Sequence, residues 1–516
     1  MQIKLLTIGE MPLDYRSGKS IRHISEDAAG GFHEFRNESS YISVNAEEHS
    51  ASINGYLSSN SIKGLSFTLA FDESASECWS VDGHTNELIK RKIPESGLHA
   101  VLSSWYEDLY SANHPFARSE YNLTIAFIAL KLKSNWVAIY SSELSQQYGS
   151  TNIKSTQEKT TLDFYLEKEL SSTNLPYSFP SWKFTQADSL DSLISIYESE
   201  VNTNCPVLYD ESYKQLDKAI YLNSECSYGE ALLTFNQMED LLSRLQTYCN
   251  PSSTLVYIPG WEDPYDMTRP KFTPSDVCGG ETGFSSLCNM ADSLGYLVMP
   301  HINLTGINPW SEHWQHFKDC ITRNHNNEER WWRYDIDGDG REEAYLAYIN
   351  PAYRKWSDYF TSSVKSLIER YKLKTVYLDQ TSLFWNDPHA NYFRGKTELL
   401  TRLILENPAV LMGGEGIVQS LLPYTPVIQM MLPTTISSPS GRKTLFESSI
   451  RGLPFLTLPA ADGSETIYPP RYTYSLESVE QAYSALQGFD YLPTVAFGRG
   501  GWNSDAERLV KKVFKE

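Results

Sequence analysis

Hydrophobic and polar positions follow two different rhythms along this chain. In the first third the period is two. Tyr41-Ile42-Ser43-Val44-Asn45-Ala46 and Leu65-Ser66-Phe67-Thr68-Leu69-Ala70-Phe71 place their apolar side chains on one face of an extended segment. Segments 123–132 and 136–140 read as further strands, with turns at Asn54-Gly55, Asp82-Gly83 and Ser134-Asn135. The polar stretch 145–159 reads as a long loop. Short strands separated by turn signals predict a β-sandwich over residues 1–160. Residues 161–227 read as a mixed linking segment, with a helix over 189–200.

From about residue 228 the rhythm changes to short apolar runs alternating with amphipathic helical stretches. The runs are 231–235, 254–258, 296–300, 375–378, 409–412, 427–431, 454–458 and 492–497. Helices are predicted over 236–249, 285–294, 352–371, 392–406 and 476–487. Eight strand candidates in this alternation predict a (β/α)8 TIM barrel over residues 228–516. A doubly wound sheet would carry its ligand on a Gly-rich first turn, and no GxGxxG follows any of the runs. The expected architecture is multidomain, β plus α/β: an N-terminal β-sandwich followed by the barrel.

Chemistry in such a barrel sits where strands end. The fourth run leads into Asp379 and the fifth into Gly413-Gly414-Glu415-Gly416. A carboxylate at an inward-facing strand end is costly to bury unless it serves something. Adjacent strands lie about 4.8 Å apart. Two carboxyl groups there fall at roughly 5–5.5 Å, the separation of retaining glycosidases. The shorter Asp379 suits the nucleophile, and the longer Glu415 suits the acid/base. Other run ends supply candidate sugar contacts: Trp261, Glu262 and Asp263 after the second, and His301 and Asn303 after the third. Gln380 and Trp385 follow the fourth, and Gln429 lies in the sixth. Indole faces with amides and carboxylates suit stacking on a sugar ring and hydrogen bonding to it. Simple core packing is the alternative for Trp261, and a structural role for His301.

This half resembles the retaining α-glycosidase barrels. Asn350-Pro351, Trp356, a long helix to Tyr371 and then Val376-Tyr377-Leu378-Asp379-Gln380 are similar to the nucleophile-strand region of the endo-α-N-acetylgalactosaminidase-like and α-galactosidase-like families. Gly413-Gly414-Glu415-Gly416 resembles the acid/base region of the former. The α-amylase family also has an Asp and a Glu after strands four and five. Its Arg two residues before the nucleophile is replaced here by Tyr377, and its Asn-His pair by His301-Ile302-Asn303. The resemblance implies a glycoside hydrolase cleaving an α-linked glycoside with retention. It also implies an N-terminal β-sandwich framing the site. A transglycosylase using the same residues, or a non-catalytic glycan-binding protein on a barrel scaffold, are the alternatives.

Composition narrows the partners. Acidic residues number 64 and basic residues 44, giving a net charge of −20. That surface repels phosphate backbones and anionic lipid, so neither nucleic acid nor a membrane is expected. An oligosaccharide, polysaccharide or glycoconjugate is the expected substrate, and no organic cofactor is implied. Asp335-Ile336-Asp337-Gly338-Asp339-Gly340 has the opening spacing of a calcium loop, but its twelfth position is Leu346 rather than Glu. Asp335, Asp337 and Asp339 are therefore candidate ligands of a structural Ca²⁺ in another geometry. Seven cysteines without a CxxC pair, and a start without a basic-then-apolar leader, predict reduced thiols and a cytoplasmic location.

Overall fold

In the computed structural model the described residues are 3–12, 20–28, 31–81, 87–101, 121–122, 124–145, 148–204, 207–262, 269–324, 326–334, 344–430, 442–446, 450–454, 458–464, 466–467, 479–486 and 491–515. Asp263 and the loop with Asp335, Asp337 and Asp339 lie outside them, as does the predicted turn at Asp82-Gly83.

Eight parallel strands form the second half. They are β1 (Lys218–Leu222), β2 (Thr254–Ile258), β3 (Leu297–Asn303), β4 (Thr375–Asp379), β5 (Leu411–Glu415), β6 (Val427–Met430), β7 (Arg451–Pro454) and β8 (Thr494–Phe497). They pair in chain order from β1 to β7, and β8 pairs with β1. A single bridge, Gly452 to Tyr491, links β7 to the entry of β8 and brings the sheet nearly to closure. Helices α1 (Phe235–Leu245), α2 (Gly280–Leu294), α3 (Arg354–Tyr371) and α4 (Tyr392–Glu406) follow the first four strands. Helices α5 (Val479–Leu486) and α6 (Ser504–Lys515) follow the last two. After β5 the described connection is only a short 3₁₀ turn, Gln419–Leu421.

The first barrel strand differs from the expectation. Run 231–235 does not enter the sheet. Thr234 caps α1 instead, its side chain taking the N–H of Gln237 while Gln237 returns to the Thr234 N–H. That reciprocal Thr-x-x-Gln box outweighs a five-residue apolar run. The strand is Lys218–Leu222, in the segment read as linker, and all but Lys218 of it is buried.

Among the described residues the N-terminal strands form two largely antiparallel sheets that share one apolar core, one of seven strands and one of nine, which Arg442–Thr444 extends to ten. They continue past residue 160, through Thr160–Glu167 and Trp182–Ala187, and are followed by a helix over Leu190–Asn204. The stretch expected as a loop holds a strand, Tyr148–Ser155, paired on both sides. Its polar Ser150, Thr151 and Asn152 are buried, so its composition concealed it. Asn54-Gly55 also lies within a strand, Ser50–Leu57, rather than at a turn. A Cβ at Gly55 would stand 2.6 Å from Leu65 Cδ2, so close packing explains that glycine. The two halves interlock. Strand Arg442–Thr444, from the β6–β7 connection, pairs with Glu87–Arg91 of the ten-stranded sheet. Barrel residues Ile417, Ile428 and Phe446 belong to the N-terminal core. The six described cysteines are unpaired, and no described helix is long and apolar enough to cross a membrane.

Candidate active site

Register aligns four polar side chains across adjacent strands. Asn303 of β3 is opposite Asp379 of β4, Leu378 is opposite Gly414, and Glu415 of β5 is opposite Gln429 of β6. Asn303, Asp379, Glu415 and Gln429 therefore occupy one level at the C-terminal end of the barrel, where parallel register points them to the same face. All four are buried.

Asp379 is the most heavily supported of them. Its Oδ2 accepts from Asn303 Nδ2 at 3.0 Å and lies 3.6 Å from His301 Nε2. Burial pushes this carboxyl upward, but His301, the Arg269 guanidinium and the Gln380 N–H outweigh it and hold the group below the ordinary carboxylate value. His301 is itself pushed down to about 4 by its own burial, with Asp379 opposing and Arg269 adding to the fall. At neutral pH the imidazole is thus uncharged. Asn303, the Gln380 N–H and the Arg269 charge favour the ionised form of Asp379 in either protonation state of His301. The Tyr257 hydroxyl meets His301 Nδ1 at 2.5 Å, and burial holds that phenol well above its usual value. The Asp379 carboxylate beside Nε2 favours the tautomer with its proton there, and in that tautomer the Tyr257 hydroxyl donates to Nδ1.

Glu415 is joined to Asp379 through the turn after β4. The Gln380 N–H donates to Glu415 Oε2 at 3.2 Å and also acts on Asp379. Thr381 Oγ1 brackets the Glu415 backbone, accepting its N–H at 2.8 Å and donating to its carbonyl at 3.0 Å. Gln380 has a φ of 60°, a left-handed conformation uncommon outside glycine. Its Oε1 is held by Thr305 Oγ1 at 2.8 Å.

Several expected sugar contacts take other positions. Trp261 is fully enclosed. Its indole N–H donates to the His301 carbonyl at 2.7 Å and its ring stacks on Phe284, so it packs behind His301 rather than presenting a face. Glu262 pairs with Arg269 at 3.3 Å and accepts the Phe272 N–H, while burial raises its carboxyl. Gln429 accepts from the Tyr377 hydroxyl at 2.8 Å and donates to the Tyr221 hydroxyl, so its amide is engaged by the barrel interior. Trp385 lies between Tyr348, with centroids 5.3 Å apart, and Arg330, 5.4 Å from its ring. Its buried Nε1 has no partner among the described residues.

Both carboxylate loops are gripped by the N-terminal half. Tyr148 donates to the Trp385 carbonyl, and Asn386 exchanges bonds with Leu170 N and Lys168 O. After β5, the Gln419 side chain makes four bonds. It accepts from Ala126 N and Tyr197 Oη and donates to Ser141 O and Glu143 O. Sequence reasoning missed Gln419, Arg269, Tyr257 and the buried Lys396 of α4, because nothing local distinguishes them from surface residues of the same type.

Residues 220–394 match a family described as a domain of unknown function, DUF6259. No curated protein matches the sequence. Among solved structures, an α-N-acetylgalactosaminidase from Bifidobacterium bifidum in complex with GalNAc superposes with a TM-score of 0.63 at 12% identity, covering 94% of this chain and 87% of that one. A GH36 α-galactosidase from Geobacillus stearothermophilus, in complex with raffinose, gives 0.58 at 11% identity over 99% and 74%. A GH31 family sulfoquinovosidase from E. rectale gives 0.55 at 10% identity over 99% and 78%. The resemblance to α-glycosidase barrels read from the sequence thus holds as a likeness of fold: this chain is built on the architecture of these glycoside hydrolases.

Proposed function

We propose that the protein hydrolyses an α-linked glycoside with retention, Asp379 forming the glycosyl-enzyme and Glu415 acting first as acid and then as base. The observation that carries this reading is that Asp379 and Glu415 end neighbouring parallel strands at one register level, with Glu415 accepting the N–H of the residue after Asp379. Neighbouring strands lie about 4.8 Å apart, a spacing that favours direct attack by Asp379, since retaining pairs stand about 5–5.5 Å apart and inverting pairs about 6.5–9.5 Å to admit a water. Asp379 is held ionised by Asn303, Gln380 and Arg269, as a nucleophile must be. Neutral His301 presents Nε2–H beside it, available to a substrate hydroxyl. A galacto-configured α-glycoside, with or without a 2-acetamido group, is the substrate class to try first, given what the superposed enzymes act on.

Aryl α-galactosides and α-N-acetylgalactosaminides with good and poor leaving groups test the assignment. Asp379→Asn is expected to abolish turnover of all of them. Glu415→Gln is expected to spare activated aryl glycosides far more than poor ones. Equal loss on both would remove Glu415 from the acid role.

A further inference from the structure

We propose that Lys396 is a positioning residue for both carboxylates, its ammonium fixing the turn that carries their shared contacts; this rests on the retaining reading above. Lys396 lies in the first turns of α4 and is completely enclosed. Its Nζ donates to the carbonyls of Gln380 at 2.9 Å, Thr381 at 3.0 Å and Leu383. Three carbonyl acceptors consume three N–H bonds, which only the protonated amine has. The Phe384 and Tyr392 rings, 4.6 and 4.9 Å from Nζ, add cation–π attraction. The charged groups acting on Lys396 are Glu415 at the end of β5 and Asp379 at the end of β4. Burial pulls the amine well below its ordinary value and both carboxylates oppose that fall; the three carbonyl acceptors are what call for the ammonium.

The same residues hold the carboxylates by their other groups. Gln380 offers its N–H to Glu415, and Thr381 Oγ1 brackets the Glu415 backbone. Lys396 thus grips one side of a turn whose opposite side sets the acid/base and the nucleophile. It also holds Gln380 in its left-handed conformation, which must be stabilised by its surroundings to persist. A fixed cation beside both carboxyl groups favours their ionised forms. Removing it is expected to move both limbs of the pH–rate profile to higher pH. A merely structural lysine would lower the yield of folded enzyme and leave both limbs in place.

The test compares Lys396→Met, Lys396→Arg, Thr381→Val and Asp379→Asn on one activated aryl α-glycoside. Folded Lys396→Met is expected to lose kcat by roughly 10²-fold with KM little changed, and to shift both limbs upward. Lys396→Arg is expected to restore the limbs to their wild-type pH. Unshifted limbs in folded Lys396→Met overturn the proposal. Should Lys396→Met fail to fold, Lys396→Gln keeps a donor to the same carbonyls without the charge, and Thr381→Val, which loosens the turn but keeps the cation, is its reference. Limbs shifted upward in Lys396→Gln beyond those of Thr381→Val support the proposal, and limbs at their wild-type pH overturn it. An active Asp379→Asn refutes the retaining reading itself. An inactive Asp379→Asn beside an unshifted Lys396→Met refutes only the role of Lys396.

Discussion

Gly414 lies between Thr381 and Thr425, directly before Glu415, and replacing it with alanine tests how tightly the turn after β4 is coupled to the acid/base strand. A Cβ at Gly414 would stand 2.7 Å from Thr381 Oγ1 and 3.0 Å from Thr425 Cγ2. Both threonines are buried, so neither has free space to swing into. The hydroxyl under pressure is the one bonded to the Glu415 N–H and carbonyl. Losing those two bonds costs about 1 kcal/mol each, and overpacking adds about 1–3 kcal/mol. The lower entropy of the unfolded Ala variant returns about 0.4–1 kcal/mol. Gly414→Ala is therefore expected to destabilise the protein by about 2–5 kcal/mol. A displacement of Glu415 on the order of 1 Å is expected to cut kcat roughly 10²-fold. Denaturant unfolding and steady-state kinetics on an aryl α-glycoside measure the two effects on one sample. A variant with unchanged midpoint and unchanged kcat would refute the coupling through Thr381.

Other perturbations address neighbouring features. The folded His301 imidazole titrates near 4 against an unfolded value of 6.5, so the unfolded chain binds the proton first as pH falls. Its contribution is complete above about pH 6.5 and is lost as pH falls toward 4, a difference of about 3 kcal/mol at about 1.4 kcal/mol per unit. The stability gap between wild type and His301→Gln should narrow by that amount between pH 7 and 4; a constant gap would show that His301 does not titrate there. Gln419→Leu removes four bonds at once. At about 1–3 kcal/mol for each buried group left unpaired, it should lower the unfolding free energy by at least about 4 kcal/mol, and a loss under 1 kcal/mol would mean the two halves dock without it.

How much of this was legible before the fold was known varied by feature. Period-two alternation located strands such as Ser40–Ala46 and Trp136–Tyr140, and helical periodicity located α4. The polar strand Tyr148–Ser155 escaped, because its pairing and its contact with Trp385 are both made by distant chain. The first barrel strand escaped because a five-residue apolar run carries no periodicity that separates it from a helix entrance. The Thr234-x-x-Gln237 box was the local signal that would have decided it. At the site, Asp379 and Glu415 stood out because strand-end carboxylates after apolar runs are rare. Trp261 gave no sign of whether its ring would face a ligand or Phe284, since that depends on where α2 packs. Gln419 and Lys396 act through backbone groups of other segments, and a side chain that reads backbone carbonyls leaves no partner motif in sequence.

The most direct test of the central claim is the anomeric configuration of the first-formed sugar, followed by proton NMR during cleavage of an aryl α-glycoside. Attack by Asp379 and then by water predicts that the α-hemiacetal forms first and mutarotates to the equilibrium mixture. Initial release of the β-anomer would contradict a double displacement by Asp379 and Glu415.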